Sequence, residues 1–373
     1  MRNIIIVTFI NSYNYGAFLQ AKATLVLLSK LGFCARFLNY CNKEEEQQRK
    51  IFLFSNRYTF VYNIKRIIYK MWMGYYHRDI LNGKKNFQTS INDLPKTKKY
   101  RNISEIESAE DIDIYICGSD QIWNPEICNG KIDPVYFAGL TKIRKRISFA
   151  SSMGSYTPKN CEMDLLKKYL SSFDAISVRE RFAQDILSVL KLDTIINVVL
   201  DPTLCLSSYE WHLLIEESPK TLHHLDEDYI LLYFVTPRPK YQLIIDKIKE
   251  ELNLKTVLVK NNNLKQLMVD STVNNATPYD FVNMISNARF VLTDSFHGTA
   301  FSINFNREFL SIINEKNPER VRTLCIELGL EDRLISNTEE ICKLKKINYS
   351  SVNMKLEKLR KSSVAWLKNA MAL

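Results

Sequence analysis

Of the five histidines in this 373-residue chain, only His297 stands in a loop suited to chemistry. It lies within Thr293-Asp294-Ser295-Phe296-His297-Gly298-Thr299, after an apolar strand pattern and ahead of a helical one. A histidine at a helix N-terminus, beside a carboxylate and hydroxyls, can hold a phosphate or pass a proton. The plainer alternative is a buried histidine bonded to backbone; the density of polar types favours chemistry. Asp294 is expected to fix the ring's orientation and tautomer, and Ser295, Gly298 and Thr299 to contact substrate. His77, His212, His223 and His224 fall in helical or linker contexts without a supporting motif.

Three further polar clusters follow apolar strand patterns, where ligands bind in open α/β sheets. Asn14 and Gly16 precede a helix that carries Gln20, so close backbone approach and free N–H groups are on offer there. Gly118-Ser119-Asp120-Gln121-Ile122-Trp123-Asn124 gathers a carboxylate, amides and an indole. Such sets bind sugars, with polar groups on hydroxyls and an aromatic face on the ring's C–H surface. The alternative is a capped turn with Trp123 in the core. Arg179, ending Ser177-Val178-Arg179-Glu180, has the planar fork that grips a phosphate or carboxylate in two places. A surface ion pair with Glu180 is the competing explanation.

Elements that would position these clusters alternate along the chain. Strands are expected at Asn3–Ile10, Ala35–Tyr40, Ile112–Cys117, Arg146–Ser151, Ala175–Val178 and Asn197–Leu200, with helices including Gly16–Leu31, Met163–Leu170 and Arg181–Leu190. Pro202 interrupts the pattern. A second alternation starts at Tyr229–Val235 and runs through strands near Thr256–Lys260, Phe290–Thr293 and Phe309–Ile313. Strand–helix alternation predicts parallel sheets covered on both faces. The expected class is α/β, with two Rossmann-like domains facing a cleft: residues 1–206, carrying a basic helical insertion near 47–100, and residues 207–345. A final helix within 346–373 would pack back on the first domain.

The composition bounds partners. Net charge is +10, which suits phosphorylated substrates, anionic lipid or nucleic acid. No zinc finger, RNA-recognition signature or long basic helix is present, so nucleic acid is not expected as a partner. The eight cysteines show no C-x-x-C pairing and no zinc-like spacing with histidine, so no metal is expected. The opening Ile4-Ile5-Ile6-Val7 is too short for a signal peptide and no run suits a membrane span; a cytoplasmic protein is expected. Segment 47–78 holds seven Lys and Arg residues and no acid, with apolar residues at helical spacing. It either lies peripherally on an anionic membrane surface or docks on its own domain.

Taken together, Asn14-Tyr15-Gly16-Ala17 with Gln20, the Gly118–Asn124 cluster, Ser177–Glu180, Asp201-Pro202-Thr203 and Thr293–Thr299 resemble the polysaccharide pyruvyl transferase family, in its order and across about residues 10–310. The resemblance implies a GT-B-like fold, phosphoenolpyruvate as donor substrate with no further cofactor or metal, and a glycan acceptor, polyprenyl-linked where it is a surface-polysaccharide precursor. His297 would then act as acid/base or phosphate ligand, Arg179 as anion clamp and Asp120 as sugar ligand or base. Asn14, Gln121 and Trp123 would orient the acceptor. Many members carry Arg two residues before this histidine, where Ser295 stands here. Another cation must substitute, and Arg289, Lys260 and Arg322 are the candidates. Two rivals remain: a nucleotide-sugar glycosyltransferase of the same architecture, and a non-catalytic assembly protein at the membrane.

Overall fold

The computed structural model describes residues 2–41, 63–65, 68, 78–128, 130–218, 228–259, 267–313, 318–341 and 345–372, without the side chains of residues 78–81. Nearly all of the basic stretch 47–78, and Lys260, lie outside these described residues.

The first half holds β1 (Ile4–Val7), α1 (Tyr15–Lys30), β2 (Ala35–Phe37), α2 (Arg78–Asn92), α3 (Ile103–Ala109) and β3 (Ile112–Cys117). There follow β4 (Ile143–Ser151), α4 (Asn160–Leu170), β5 (Ala175–Val178), α5 (Arg181–Ser188), β6 (Ile196–Val198), α6 (Pro202–Cys205) and α7 (Ser208–Glu216). The second half holds β7 (Tyr229–Tyr233), α8 (Tyr241–Leu252), β8 (Lys255–Val259), β9 (Ser271–Val273), α9 (Pro278–Asn287), β10 (Phe290–Thr293) and α10 (Phe296–Asn304). It closes with β11 (Glu308–Ile312), α11 (Glu319–Leu328), β12 (Leu334–Ile335) and α12 (Tyr349–Ala372). Two six-stranded sheets result, β2-β1-β3-β4-β5-β6 and β12-β11-β10-β7-β8-β9, and every strand pairing in them is parallel. This is the expected α/β class. β9, β12 and α11 are additions to the sequence reading; β9 and β12 are only three and two residues long, too short for a periodic signal.

Side-chain alternation divides the core. Ile4 and Ile6 of β1 point into the same apolar cluster as Leu231 and Tyr233 of β7. Ile5 and Val7 point to the far side of the first sheet, and Ile230 and Leu232 to the far side of the second. The period of two along a strand thus feeds one cluster shared by both sheets and one private cluster for each.

Helix α1 sits in the shared layer, which is why Tyr15, Phe18, Leu19, Ala23 and Leu27 are all buried although they span several faces. Tyr15 stacks on Phe281 of α9 with centroids 4.8 Å apart and planes 6° from parallel. Its hydroxyl donates to the Ala276 carbonyl at 3.0 Å. Capping boxes start the helices that frame this layer, Ser207 with Glu210 on α7 and Thr277 with Asp280 on α9. α12 also joins the halves. Its Ser363 hydroxyl accepts from Leu200 N–H at 2.9 Å, Trp366 stacks on Phe149 of β4, and Arg360 donates to the Leu204 carbonyl and to Asn304 of α10.

Phe281 touches Tyr15, Tyr233 and Phe301 at once. Phe281→Ala is expected to lower stability in urea unfolding by about 3–5 kcal/mol. A loss below about 1 kcal/mol, the size of an exposed substitution, would show that this stack does not hold the sheets together.

Candidate functional site

In each sheet the strand order reverses at one place, between β1 and β3 and between β7 and β10. Loops leave in opposite directions there and open a crevice at the strands' carboxyl ends. All four sequence clusters lie at carboxyl ends of strands that face each other across the shared layer.

The loop after β3 is held by buried hydrogen bonds. Ser119 N–H donates to Gln20 Oε1 at 3.1 Å, and the single Ser119 Oγ–H is shared between the Ala150 carbonyl at 2.9 Å and Asp201 Oδ2 at 3.2 Å. The Ser119 carbonyl accepts from Thr8 Oγ1 at 2.8 Å, which in turn accepts from Gln20 Nε2 at 3.0 Å. At Gly118, with φ of +116°, a Cβ would meet the Phe149 carbonyl oxygen at 2.2 Å. Gly118 is therefore fixed by close packing, and the side chains of Ser119 and Gln20 are spent on building the loop. Asp120 follows with φ of +74°, a left-handed conformation uncommon for a non-glycine residue. One of its oxygens accepts from Gln121 N–H at 2.8 Å. Its charge reaches Arg179, His297 and Arg320.

Arg179, at the end of β5, is 5% exposed and lies between two carboxylates. Its Nη1 donates to Asp201 Oδ2 at 2.5 Å and its Nε stands 3.8 Å from Glu180 Oε2. The guanidinium covers the Phe296 ring at 4.7 Å, a cation–π contact strengthened by desolvation. Nε and Nη2 nevertheless have no hydrogen-bond partner. Glu180 is held on one side only: its Oε1 accepts from Ser152 Oγ, Met153 N–H and Gly154 N–H, while Oε2 faces Arg179 Nε. Burial raises its pKa, against the pull of Arg179 and these donors. Asp201 goes the other way. Burial would raise it, but Arg179, His297 and Thr203 together bring it down to about 2.

His297 enters from the first turn of α10. A Cβ on Gly16 would lie 1.9 Å from His297 Nδ1, so the missing side chain is what lets the imidazole close onto the start of α1. Its Nε2 is buried without a hydrogen-bond partner, 3.8 Å from Asp201 Oδ2. Burial lowers its pKa to about 4; Asp201 opposes that shift and Arg179 adds to it. The imidazole is neutral at pH 7.

Arg320, on the first turn of α11, completes the group. It also lies over Phe296, at 5.8 Å. The Gln121 amide, turned with its oxygen toward it, accepts from Nη1 at 3.0 Å and Nη2 at 2.8 Å, while Arg320 Nε has no partner. Burial and the neighbouring Arg179 bring Arg320 down to about 10. Arg179, Arg320 and His297 thus each bring at least one buried nitrogen without a hydrogen-bond partner to one crevice, an arrangement suited to a multiply charged anion.

Several expectations are corrected. Trp123 does not face the crevice: its ring is 1% exposed, stacks on Phe137 and donates Nε1–H to the Tyr136 carbonyl. No face is left for a sugar. Asp294 does not orient His297; its carboxylate accepts from Val235 and Thr236 N–H and pins the turn after β7. Ser295 caps α10 by accepting from Gly298 N–H, and Thr299 bonds back to the Ser295 carbonyl and to Ser311. Gly298 exists because a Cβ would strike Thr293. Asn14 caps α1 by accepting from Ala17 N–H. Asn124 accepts from Glu126 N–H inside its own turn. Arg289 is exposed at the far end of β10, and Arg322 pairs with Glu319 on the surface. Arg320 fills the place sought for the missing cation. Asp201 was legible only as part of a short motif.

A sequence model described as polysaccharide pyruvyl transferase matches residues 14–316. No curated protein is significantly similar in sequence. Among solved structures, the chain is similar to UDP-GlcNAc 2-epimerase from Neisseria meningitidis bound to UDP-GlcNAc, at 9% identity over 98% of this chain and 99% of that one, with a TM-score of 0.52. It is also similar to the Methanocaldococcus jannaschii UDP-GlcNAc 2-epimerase in complex with UDP-GlcNAc and UDP, at 14% identity over 96% and 94%, with a TM-score of 0.51. At such identities the likeness shows the fold, two facing α/β domains of the GT-B kind.

Two outcomes follow from the His297 environment. The unfolded imidazole binds a proton near pH 6.5 and the folded one only near pH 4. Stability from this group is therefore complete above pH 6.5 and is lost as pH falls toward 4. Melting temperature from pH 7 to 4.5 should fall more steeply for the parent than for His297→Gln; equal slopes would contradict the burial argument. Gly16→Ala should push the ring from its packed position. In ¹⁵N-histidine NMR its pKa should then climb from about 4 toward 6.5, and an unchanged titration would mean that the contact at Gly16 does not hold the ring.

Proposed function

The chain belongs to the polysaccharide pyruvyl transferase family, and we propose that it moves pyruvate from phosphoenolpyruvate onto two hydroxyls of a glycan, closing a ketal and releasing phosphate. The observation that carries this reading is the set of buried, unpartnered donors on Arg179, Arg320 and His297. Phosphoenolpyruvate brings a phosphate and a carboxylate close together, and two guanidiniums can grip both.

In the reaction the methylene carbon of the donor takes a proton, leaving a cationic centre at the carbon that bears the phosphate oxygen. A sugar hydroxyl adds there and gives up its proton. The bond to the phosphate oxygen then breaks, and a second hydroxyl closes the ring as it loses its own proton. One of the two released protons replaces the one taken up by the methylene; the other leaves on phosphate. Arg179 and Arg320 hold the leaving phosphate and the carboxylate, stabilising charge as it moves onto phosphate oxygen. His297 donates Nε2–H to the donor while neutral. The donor's negative charge raises the ring's proton affinity, so that in the complex it takes up a proton, and the imidazolium gives one to the methylene carbon and is recharged by a proton from a sugar hydroxyl. Asp120, half-buried at the crevice, accepts the proton of the attacking hydroxyl, and Gln121 holds Arg320 in place.

Incubation with phosphoenolpyruvate and a glycan acceptor should release phosphate and add a pyruvate ketal detectable by mass spectrometry. Release of a nucleoside diphosphate from a nucleotide sugar instead would overturn the donor assignment. Arg179→Gln and Arg320→Gln are each expected to cut kcat/KM for phosphoenolpyruvate by roughly 10²–10³-fold. A folded Arg320→Gln enzyme with parental kcat/KM would remove Arg320 from the donor site.

A further inference from the structure

We propose that Asp201 is a positioning residue, which places the Nε2 proton of His297 and turns the free edge of Arg179 toward the donor. This rests on the donor site described above. Asp201 belongs to none of the four strand-end clusters, yet it faces Arg179 of the first half and His297 of the second. One oxygen is occupied with local structure: it accepts from Thr203 N–H at 2.9 Å and Thr203 Oγ1 at 2.6 Å, capping α6. The other, Oδ2, faces the site. It accepts from Arg179 Nη1 at 2.5 Å and from Ser119 Oγ at 3.2 Å, and stands 3.8 Å from His297 Nε2.

The geometry defines two effects. Asp201 takes only Nη1 of Arg179; Nη2 has no hydrogen-bond partner, and Nε faces Glu180 Oε2 at 3.8 Å without a hydrogen bond. The guanidinium is planar, so fixing Nη1 while the plane lies on Phe296 fixes where the remaining donors point. The second effect is on the imidazole. At 3.8 Å there is no hydrogen bond to Asp201, but a carboxylate repels a nitrogen lone pair and attracts an N–H. The groups facing the ring are Asp201, Arg179, Asp120 and Arg320, with Gly16 against Nδ1. Asp201 is the carboxylate opposite Nε2, so the neutral ring carries its proton there. That nitrogen is the unpartnered one, ready to donate to a phosphate oxygen. The same logic sets the tautomer of histidines that face carboxylates elsewhere.

The test reads the ring itself before any substrate is added. In long-range ¹H–¹⁵N spectra at pH 7, with His297→Gln used for assignment, the parent should show a neutral Nε2–H tautomer. A parent Nδ1–H tautomer would overturn the proposal without any variant. In Asp201→Asn the preference should weaken and the two nitrogen shifts move toward each other. Donor KM should rise and kcat should fall by about 10–100-fold. Thr203→Val separates capping from positioning: it should lower the melting temperature while leaving the tautomer and donor KM at parental values. An Asp201→Asn protein that keeps the Nε2–H tautomer and parental donor KM would refute the role. Because the spectra need no donor, a tautomer that depends on Asp201 in a protein inactive on phosphoenolpyruvate would uphold the positioning and refute the donor assignment.

Discussion

Arg179 and Asp201 meet in the buried interior, and burying two charges costs several kcal/mol per ion unless other partners share them. The sharing here is unequal. Asp201 is satisfied by four donors from three segments of chain. Arg179 spends one of its five N–H groups on a short contact and keeps buried ones idle. A fold that desolvates a guanidinium and then leaves it short of acceptors is held in that condition by everything around it. The Gln20–Thr8–Ser119 bonds bring the β3 loop to Asp201. The Phe296 ring supports the guanidinium plane. The Tyr15–Phe281 stack keeps the second half close enough for His297 to complete the group. Deficient acceptors are the natural reason for an anion to bind.

The architecture was legible because parallel strands buried on both faces leave continuous apolar runs such as Ile4–Val7, Ala175–Val178 and Phe290–Thr293. Not every polar residue at a strand end is free to meet a ligand. Gln20, Ser119, Asp294 and Ser295 are polar because backbone groups in tight, buried loops need partners, and composition does not distinguish that need from binding. Trp123 shows the same ambiguity: an indole with one buried hydrogen bond looks, in sequence, like a sugar platform. Arg320 was missed for a different reason. It sits at the start of α11 with no motif around it, and only the return of the chain past β11 places it over Phe296.

Glycine economy sharpens the point. The chain has only 10 glycines, and Gly16, Gly118 and Gly298 stand where a Cβ would collide with His297, the Phe149 carbonyl and Thr293. Each marks a close approach that the site requires, so three of the resemblance motifs are motifs of space as much as of chemistry. Gly16 was read as room for a ligand; the room is taken by His297.

Helix α12 carries a consequence for how this protein is made. Its Trp366 covers Phe149 of β4, and its Ser363 holds Leu200 N–H just after β6, so the first sheet is finished by a segment synthesised after the second. On the ribosome the amino-terminal half would emerge with part of its apolar surface bare and wait through the translation of the whole second half. Domains that fold in order of synthesis avoid that delay. This one trades it for a late closing step, during which a chaperone that binds exposed apolar surface has an opening to act.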